Sequence, residues 1–338
     1  MKILIYSPLF YPSIGGLEAV ISILAHEFIE QGHEVKLVSQ TLAIDSKTFP
    51  FEVIRRPKPN QLLSLTNWCD IYFQGCISLK GLWPWLVARK PLIVTHQTWY
   101  RRSSGSLSWQ DYLKYFTTQF TTNISASYAL AQHIPAPSVV IPNPYREDIF
   151  YEMPKIERGK ELAFLGRLVS DKGADLLIEA LAHLKASGLT PRLTIIGSGP
   201  EELKLRQQVE KLNLTGQIDF VGVKVAQELA QLLNAHHILV VPSRWQEPFG
   251  IVALEGIACG CIVVGSEAGG LKEAIGSCGV TFPNGDVKAL TQVLAKLLSS
   301  PDELSNYRAT AAAHLSHHQK TTVAKAYLQV FERAIRWN

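Results

Sequence analysis

Short apolar runs alternate with amphipathic stretches along almost the whole chain. Residues 2–6 form an apolar run of strand length, followed by a loop holding Pro8, Pro12, Gly15 and Gly16. Leu17, Val20, Ile21, Leu24 and Phe28 then recur at helical spacing, and Gly32 ends that pattern. Further strands are predicted over 34–39, 51–55, 70–73, 91–96, 122–125 and 138–141. The pattern weakens over 143–160, where Pro144, Pro154 and many charges cluster, which reads as a linker. It then restarts with strands at 161–165, 192–196, 217–221, 238–241 and 261–264. Helices are predicted from 174, from 200, from 226 and over 251–258, 287–298, 301–315 and 321–336. Such alternation predicts an α/β protein with parallel sheets covered on both faces. We read two Rossmann-like domains facing each other across a cleft, over 1–150 and 155–320. The last helix, about 321–338, should return to the first domain, because Tyr327, Val330, Phe331 and Ile335 make an apolar stripe.

A length of 338 residues suits two domains, each large enough for its own core. The composition is 47% hydrophobic and 18% charged, which excludes a disordered chain or a long coiled coil. The net charge of +4 fits a phosphate-bearing ligand and is too small to imply nucleic acid. The cysteines are Cys69, Cys76, Cys259, Cys261 and Cys278, an odd number with no C-x-x-C pair. That argues against a disulfide framework or a zinc site and for a reducing cytoplasm. The run at 2–6 is followed by no small-residue cleavage site, so no secretory leader is expected. The longest apolar stretch, 251–265, carries Glu255, which argues against a membrane span.

Ligands of parallel sheets bind beyond the carboxyl ends of the strands, so the loops there carry the chemistry. Ile14-Gly15-Gly16-Leu17 allows close approach of a phosphate to a helix start, although a plain turn is an equal reading. It is not G-x-G-x-x-G, and Val38-Ser39-Gln40-Thr41 supplies no acid for a dinucleotide ribose, which weighs against a dehydrogenase. Gly197-Ser198-Gly199 lacks the third glycine of that fingerprint. In Gly166-Arg167-Leu168-Val169-Ser170-Asp171-Lys172-Gly173, Arg167 and Lys172 stand where a diphosphate could lie, against the plainer reading of solvated charge. In the loop 242–250, Glu247 precedes a helix opened by Phe249, Gly250 and Ile251, whose N–H groups would point at an anion. Glu255, inside that apolar helix, requires a hydrogen-bonding partner.

Glu247-x7-Glu255 with Phe249-Gly250 between them resembles the signature of retaining GT-B glycosyltransferases of family four. The Gly15-Gly16 loop, Gly166-Arg167-x3-Asp171-Lys172-Gly173, Phe220-x-Gly222 and Gly265-Ser266-x2-Gly269-Gly270-Leu271-x-Glu273 agree with it, over nearly the whole chain. The resemblance implies a nucleoside-diphosphate sugar as substrate and no cofactor; it permits UDP-glucose, UDP-N-acetylglucosamine and GDP-mannose, and UDP-glucose is our first choice of donor. It implies that Arg167 and Lys172 hold the diphosphate, and that Glu247 with the N–H groups of Phe249, Gly250 and Ile251 holds sugar and phosphate. Glu255 would hold the ribose, and Gly222 and Val223 would border the base. His96 would lie near the transferred sugar. Gln97-Thr98-Trp99-Tyr100 departs from the family's pattern after that histidine.

No D-x-D motif occurs, so transfer is expected to need no divalent metal. Trp68, Trp83, Trp85, Trp99 and Trp109 fall in the first domain, with Trp245 and Trp337 elsewhere. Such aromatics stack on sugars or sit at membrane interfaces, although most are expected in the core. With Arg55-Arg56 and Arg101-Arg102 they suggest a glycan or lipid-linked glycan acceptor in polysaccharide biosynthesis, with peripheral membrane contact. A sugar-nucleotide epimerase of the same fold and a catalytically silent sugar-nucleotide-binding protein are the alternatives.

Overall fold

The computed structural model describes residues 1–13, 15–44, 47–100 and 107–336. Ile14, Arg101, Arg102 and Trp337, which figure in the sequence reading, lie outside the described residues. The chain divides into two compact units, residues 1–144 with 318–338, and residues 145–317.

The first unit holds seven strands: β1 (Lys2–Ser7), β2 (Glu34–Ser39), β3 (Glu52–Arg55), β4 (Ile71–Gln74), β5 (Leu92–His96), β6 (Thr122–Ser125) and β7 (Ser138–Val140). They pair in parallel in the order β3-β2-β1-β4-β5-β6-β7. In β1, Ile3, Leu4, Ile5 and Tyr6 are all fully buried, because helices cover both faces of the sheet. Leu4 and Tyr6 join Tyr72, Val94, Leu62 and Leu82 in one core. On the opposite face Phe73, in register with Ile5, meets Phe331 at 5.2 Å and Tyr327 at 5.8 Å between ring centroids.

The closing helix Lys320–Arg336 therefore packs on the first unit, against the helix Gly16–Glu30. Phe28 and Phe331 are 5.4 Å apart, and Thr321 Oγ1 donates to Glu27 Oε2 at 3.1 Å. Of the expected stripe, Tyr327, Val330 and Phe331 are buried, whereas Ile335, near the helix end, is exposed. The helices Pro59–Trp68, Leu79–Ala88 and Trp109–Thr117 have no counterpart in the sequence reading. The first buries Leu62, Leu65 and Thr66 on one face, Pro84 sits inside the second, and the third exposes Trp109, Tyr112, Leu113 and Phe116.

The second unit holds β8 (Lys160–Leu165), β9 (Leu193–Ile196), β10 (Ile218–Gly222), β11 (His236–Val241), β12 (Ile262–Ser266) and β13 (Gly279–Phe282). All are parallel, in the order β10-β9-β8-β11-β12-β13. Each unit is thus a Rossmann-like α/β layer structure whose strand order reverses beside its first strand. β13 was not expected; it is short and begins at Gly279, whose missing Cβ would stand 1.9 Å from the Val263 carbonyl oxygen. The expected helix over 301–315 is two helices, Pro301–Ala309 and Ala311–Ser316.

Residues 145–150, which the sequence reading leaves in the first domain, belong to the second unit. The segment that follows is tied there too. The Met153 N–H donates to Asn234 Oδ1 at 2.7 Å, and Asn234 Nδ2 donates to the Tyr151 carbonyl at 3.0 Å. All five cysteines are free thiols. Among the described residues no helix is long and apolar enough to cross a membrane.

Candidate active site

In the second unit the strand order reverses between β8 and β11, which are direct neighbours. Chains leaving two such strands run to helices on opposite faces, which opens a crevice at their carboxyl ends. The loop after β8 carries Arg167 and Lys172; the loop after β11 carries Glu247.

These two loops are bound to each other through the backbone. The Arg244 and Trp245 N–H groups both donate to the Asp171 carbonyl, at 2.9 and 3.3 Å. The Arg244 guanidinium forks onto Asp175 at 2.5 and 2.6 Å and also donates to the Ser170 carbonyl at 3.1 Å. Gly173 has φ +70, and a Cβ there would lie 2.0 Å from the Pro242 carbonyl oxygen. The loop from β9 closes underneath. A Cβ at Gly197 would lie 1.9 Å from the Gly166 carbonyl, and one at Gly199 would lie 2.3 Å from the Leu168 carbonyl.

This stitching brings Lys172 and Glu247 together. The buried Glu247 Oε1 accepts from Lys172 Nζ at 2.5 Å and from Ser243 Oγ at 2.6 Å. The Glu247 carbonyl accepts the Gly270 N–H at 2.7 Å, and Gly269 (φ +86) comes so close that a Cβ would sit 2.4 Å from that carbonyl. Asn284 clamps the same loop, donating to the Ser243 carbonyl at 3.0 Å and accepting from the Ala268 N–H at 2.9 Å. Asn284 and the Arg244–Asp175 pair escape the sequence reading, because their partners are far along the chain; Ser243, only four residues before Glu247, escapes it too. The glycines at 197 and 199 were a visible signal, with a packing meaning in place of a dinucleotide one.

Gly250 (φ +107) precedes the helix Ile251–Ala258. Phe249 is buried, and the helix N-terminus carries partial positive charge. Glu255, in the second turn, is half-buried and has no hydrogen-bond or ion-pair partner among the described residues. Burial with no compensating charge pushes its carboxyl up to about 8. The Arg167 side chain is exposed and, among the described residues, unpaired. Gly222 has φ +71 at the end of β10, Val223 beyond it is exposed, and Arg206 stacks over Phe220 at 4.3 Å.

The remaining sequence candidates belong to the first unit. Gly15 precedes the helix that Gly16 opens, in extended backbone, and both are exposed. A Cβ at Gly15 would lie 2.6 Å from Oε2 of the buried Glu18, whose Oε1 accepts from Ser13 Oγ at 2.6 Å, so a side chain there would displace that carboxylate. His96 is the last residue of β5. Its ring is fully buried, Nδ1 lies 2.8 Å from the Tyr100 hydroxyl and Nε2 lies 3.1 Å from Asn123 Oδ1. Asn123 Nδ2 donates to the carbonyls of Thr118, Thr121 and Pro137, which fixes Oδ1 as the acceptor. Nε2 therefore carries the proton and Nδ1 accepts from Tyr100. Burial lowers the imidazole to about 4, so it is neutral at physiological pH. Arg55 and Arg56 are turned onto protein carbonyls, those of Thr41 at 3.1 Å and Gln40 at 2.9 Å. Of the first-unit tryptophans Trp99 is buried and Trp109 is exposed.

Residues 146–314, half of the chain, match the family described as glycosyl transferases group 1. The chain belongs to that family. The match coincides with the second unit, which carries every one of the β8, β10 and β11 loop residues above. A glycogen synthase of Mycobacterium tuberculosis is 36% identical over 179 residues, covering 52% of this chain and 43% of that protein. The chain thus spans less than half the length of that relative. A phosphatidyl-myo-inositol mannosyltransferase of Mycobacterium leprae is 29% identical over 268 residues, covering 75% of this chain and 70% of its own. The solved structure of Anabaena HepE in complex with UDP is similar with a TM-score of 0.84, at 19% identity, covering 98% of this chain and all of that one. That likeness, to a GT-B glycosyltransferase fold, concerns the fold alone.

Proposed function

We propose that this group 1 glycosyltransferase moves a hexose from a nucleoside-diphosphate sugar to a glycan or lipid-linked glycan, with retention of anomeric configuration and without a divalent metal. The observation that carries the reading is the Lys172–Glu247 pair at the strand-order reversal, with Arg167, unpaired among the described residues, in the same loop as Lys172 and a helix N-terminus at Gly250. When the glycosidic bond to phosphate breaks, negative charge grows on the departing diphosphate. Arg167, Lys172 and the N–H groups opening the helix at Ile251 meet it there. Glu247 is released from Lys172 as the diphosphate arrives, and its carboxylate then accepts from sugar hydroxyls. His96, with both ring nitrogens engaged, acts as a positioning residue for the loop after β5.

UDP-glucose is the first donor to test, because HepE has been solved with UDP-glucose bound. Incubation with UDP-glucose and an oligosaccharide acceptor should release UDP and yield an α-linked product by proton NMR. Hydrolysis or epimerisation of the sugar nucleotide without acceptor would overturn the reading, as would ligand-induced stabilisation without any turnover. Excess EDTA should leave the initial rate unchanged. Activity lost in EDTA and restored by magnesium would refute the metal-free route.

Glu255 gives the reading a pH signature. Ribose hydroxyls donate to a carboxylate and stabilise its ionised form, so bound nucleotide should lower the carboxyl from about 8. Binding then releases a proton, and UDP affinity should rise with pH, by up to about tenfold per unit, and level off above that value. Glu255→Gln should bind more weakly and flatten the profile. Calorimetry in buffers of differing ionisation enthalpy checks both; a wild-type affinity independent of pH would remove Glu255 from the ribose.

A further inference from the structure

The first unit holds a cavity of about 550 Å³. Leu92 and Thr122, the first residues of β5 and β6, line it, so it opens at the amino ends of strands whose carboxyl ends carry the loops. Its volume falls in the range of about 300–1,000 Å³ typical of small-molecule sites. Three kinds of group meet there. Trp85, half-buried, and Phe120, exposed, supply aromatic walls. Arg89 and Lys90 supply two cations. Gln119 supplies an acceptor, because its Nε2 donates to the Pro135 carbonyl at 3.0 Å and Oε1 is left open. No acidic residue lines the cavity among the described residues.

The two cations are not spent on the fold. Their side chains make no ion pair or hydrogen bond among the described residues. Between Asp70 and Glu147 the only acidic residue is Asp111, which is itself paired with Lys114 at 3.2 Å. Cations often follow a helix end, because its free carbonyls carry partial negative charge. That accounts for a basic residue after Ala88 but not for the backbone of Arg89, which caps the helix Leu79–Ala88 at φ +49 and ψ +39. Glycine takes this conformation freely, whereas arginine takes it under strain. The strain is the cost of setting a guanidinium at the cavity. Two cations, an open amide oxygen and aromatic walls suit one ligand chemistry, a phosphate monoester on a hydroxylated ring. Arg89 and Lys90 meet its phosphate, Gln119 Oε1 a ring hydroxyl, and the aromatic walls the apolar face of the ring.

A chain of hydrogen bonds leads from this cavity to the other end of the sheet. Thr121, which lines the cavity, donates from Oγ1 to Asn123 Oδ1 at 2.9 Å. The same oxygen accepts from Nε2 of His96, the last residue of β5, at 3.1 Å. His96 Nδ1 accepts from Tyr100, whose hydroxyl in turn accepts the Ile77 N–H at 3.2 Å, in the loop after β4.

We propose that the cavity is an effector site for a soluble sugar phosphate, and that its occupancy is sensed at His96. A bound phosphate draws the Thr121 hydroxyl from Asn123 and leaves Oδ1 to His96 alone. The site lies within the first unit and does not depend on the transferase reading.

Calorimetric titration of the full chain with glucose 1-phosphate, glucose 6-phosphate, UMP, inorganic phosphate and glucose tests it. A sugar phosphate should bind at least about tenfold more tightly than inorganic phosphate or glucose, since each of those keeps only half of the contacts. Arg89→Gln with Lys90→Gln should weaken it at least about tenfold, the worth of a charge-assisted hydrogen bond. Saturating UDP and Lys172→Ala should leave it unchanged, which separates this cavity from the crevice of the second unit. At saturation the ring nitrogen resonances of His96 should shift in the wild type and stay in place in Thr121→Val. Equal thermal unfolding shows that the variants are folded. The site is overturned if neither sugar phosphate binds at millimolar concentration, if Lys172→Ala removes the binding, or if the double variant binds as the wild type does. Tighter binding of UMP, or binding only to phosphatidylglycerol vesicles, overturns the ligand assignment. His96 resonances that ignore a bound sugar phosphate overturn the sensing.

Discussion

Glu247→Ala should lose most transfer yet bind UDP at least as tightly as the wild type, and Lys172→Ala should lose both. The asymmetry follows from the ion pair. In the free protein Glu247 Oε1 holds Lys172 Nζ at 2.5 Å, so the carboxylate competes with any diphosphate for that ammonium. Deleting the carboxylate frees Lys172 and removes a like charge from the anion's surroundings. UDP affinity should then improve a few-fold, the worth of a partly exposed pair. Turnover should fall about a hundredfold or more, because the donor sugar loses a charged acceptor aligned by Ser243 and the Asn284 clamp. Lys172→Ala removes a preorganised cation from the leaving group and should cost a similar factor in turnover. Because the two side chains share one interaction, the double variant should be less impaired than the product of the singles, with a coupling of about 0.5–3 kcal/mol. Initial rates and UDP titrations of the four proteins form the cycle. Strictly multiplicative losses would show that the pair does not act as a unit.

Gly173→Ala should cripple the site without touching a ligand. Residue 173 has φ +70, and a Cβ would sit 2.0 Å from the Pro242 carbonyl oxygen, a rigid backbone atom. The left-handed conformation and the collision together should cost about 2–4 kcal/mol. For a unit of this size each kcal/mol lowers Tm by about 2–4 °C, so a loss of several degrees is expected in a thermal melt. The backbone bonds from Arg244 and Trp245 to Asp171 hold the same contact, so the variant should lose the Lys172–Glu247 register too. Gly159→Ala is the control: nothing lies within 4 Å of its Cβ position, and it should melt as the wild type does. A Gly173→Ala protein with wild-type Tm and activity would mean that the two loops are not packed backbone to backbone.

The alternation of strands and helices was legible in the residue pattern alone. Strands buried on both faces must be apolar at successive positions, and Ile3 to Tyr6 or Ile238 to Val241 are legible without any partner. The pattern also singled out the loops after β8 and β11, whose Lys172 and Glu247 the structure brings together. Lys172, Glu247 and Glu255 stand out in Lys172-Gly173 and Glu247-x7-Glu255. β13 and the helices Pro59–Trp68, Leu79–Ala88 and Trp109–Thr117 were not legible, because their residue patterns answer to surfaces far along the chain. The outward stripe of Trp109–Thr117 inverts the rule used to read a helix. Which charges are paired was settled by contacts between distant parts of the chain. That Lys172 meets Glu247, that Arg167 and Glu255 are left without partners among the described residues, and that His96 is enclosed by Tyr100 and Asn123 depend on approaches of 2.5–3.1 Å. Residues 75 apart acquire such distances only when glycines at 173, 197 and 269 let backbones touch. Local propensity carries no information about that contact; packing does.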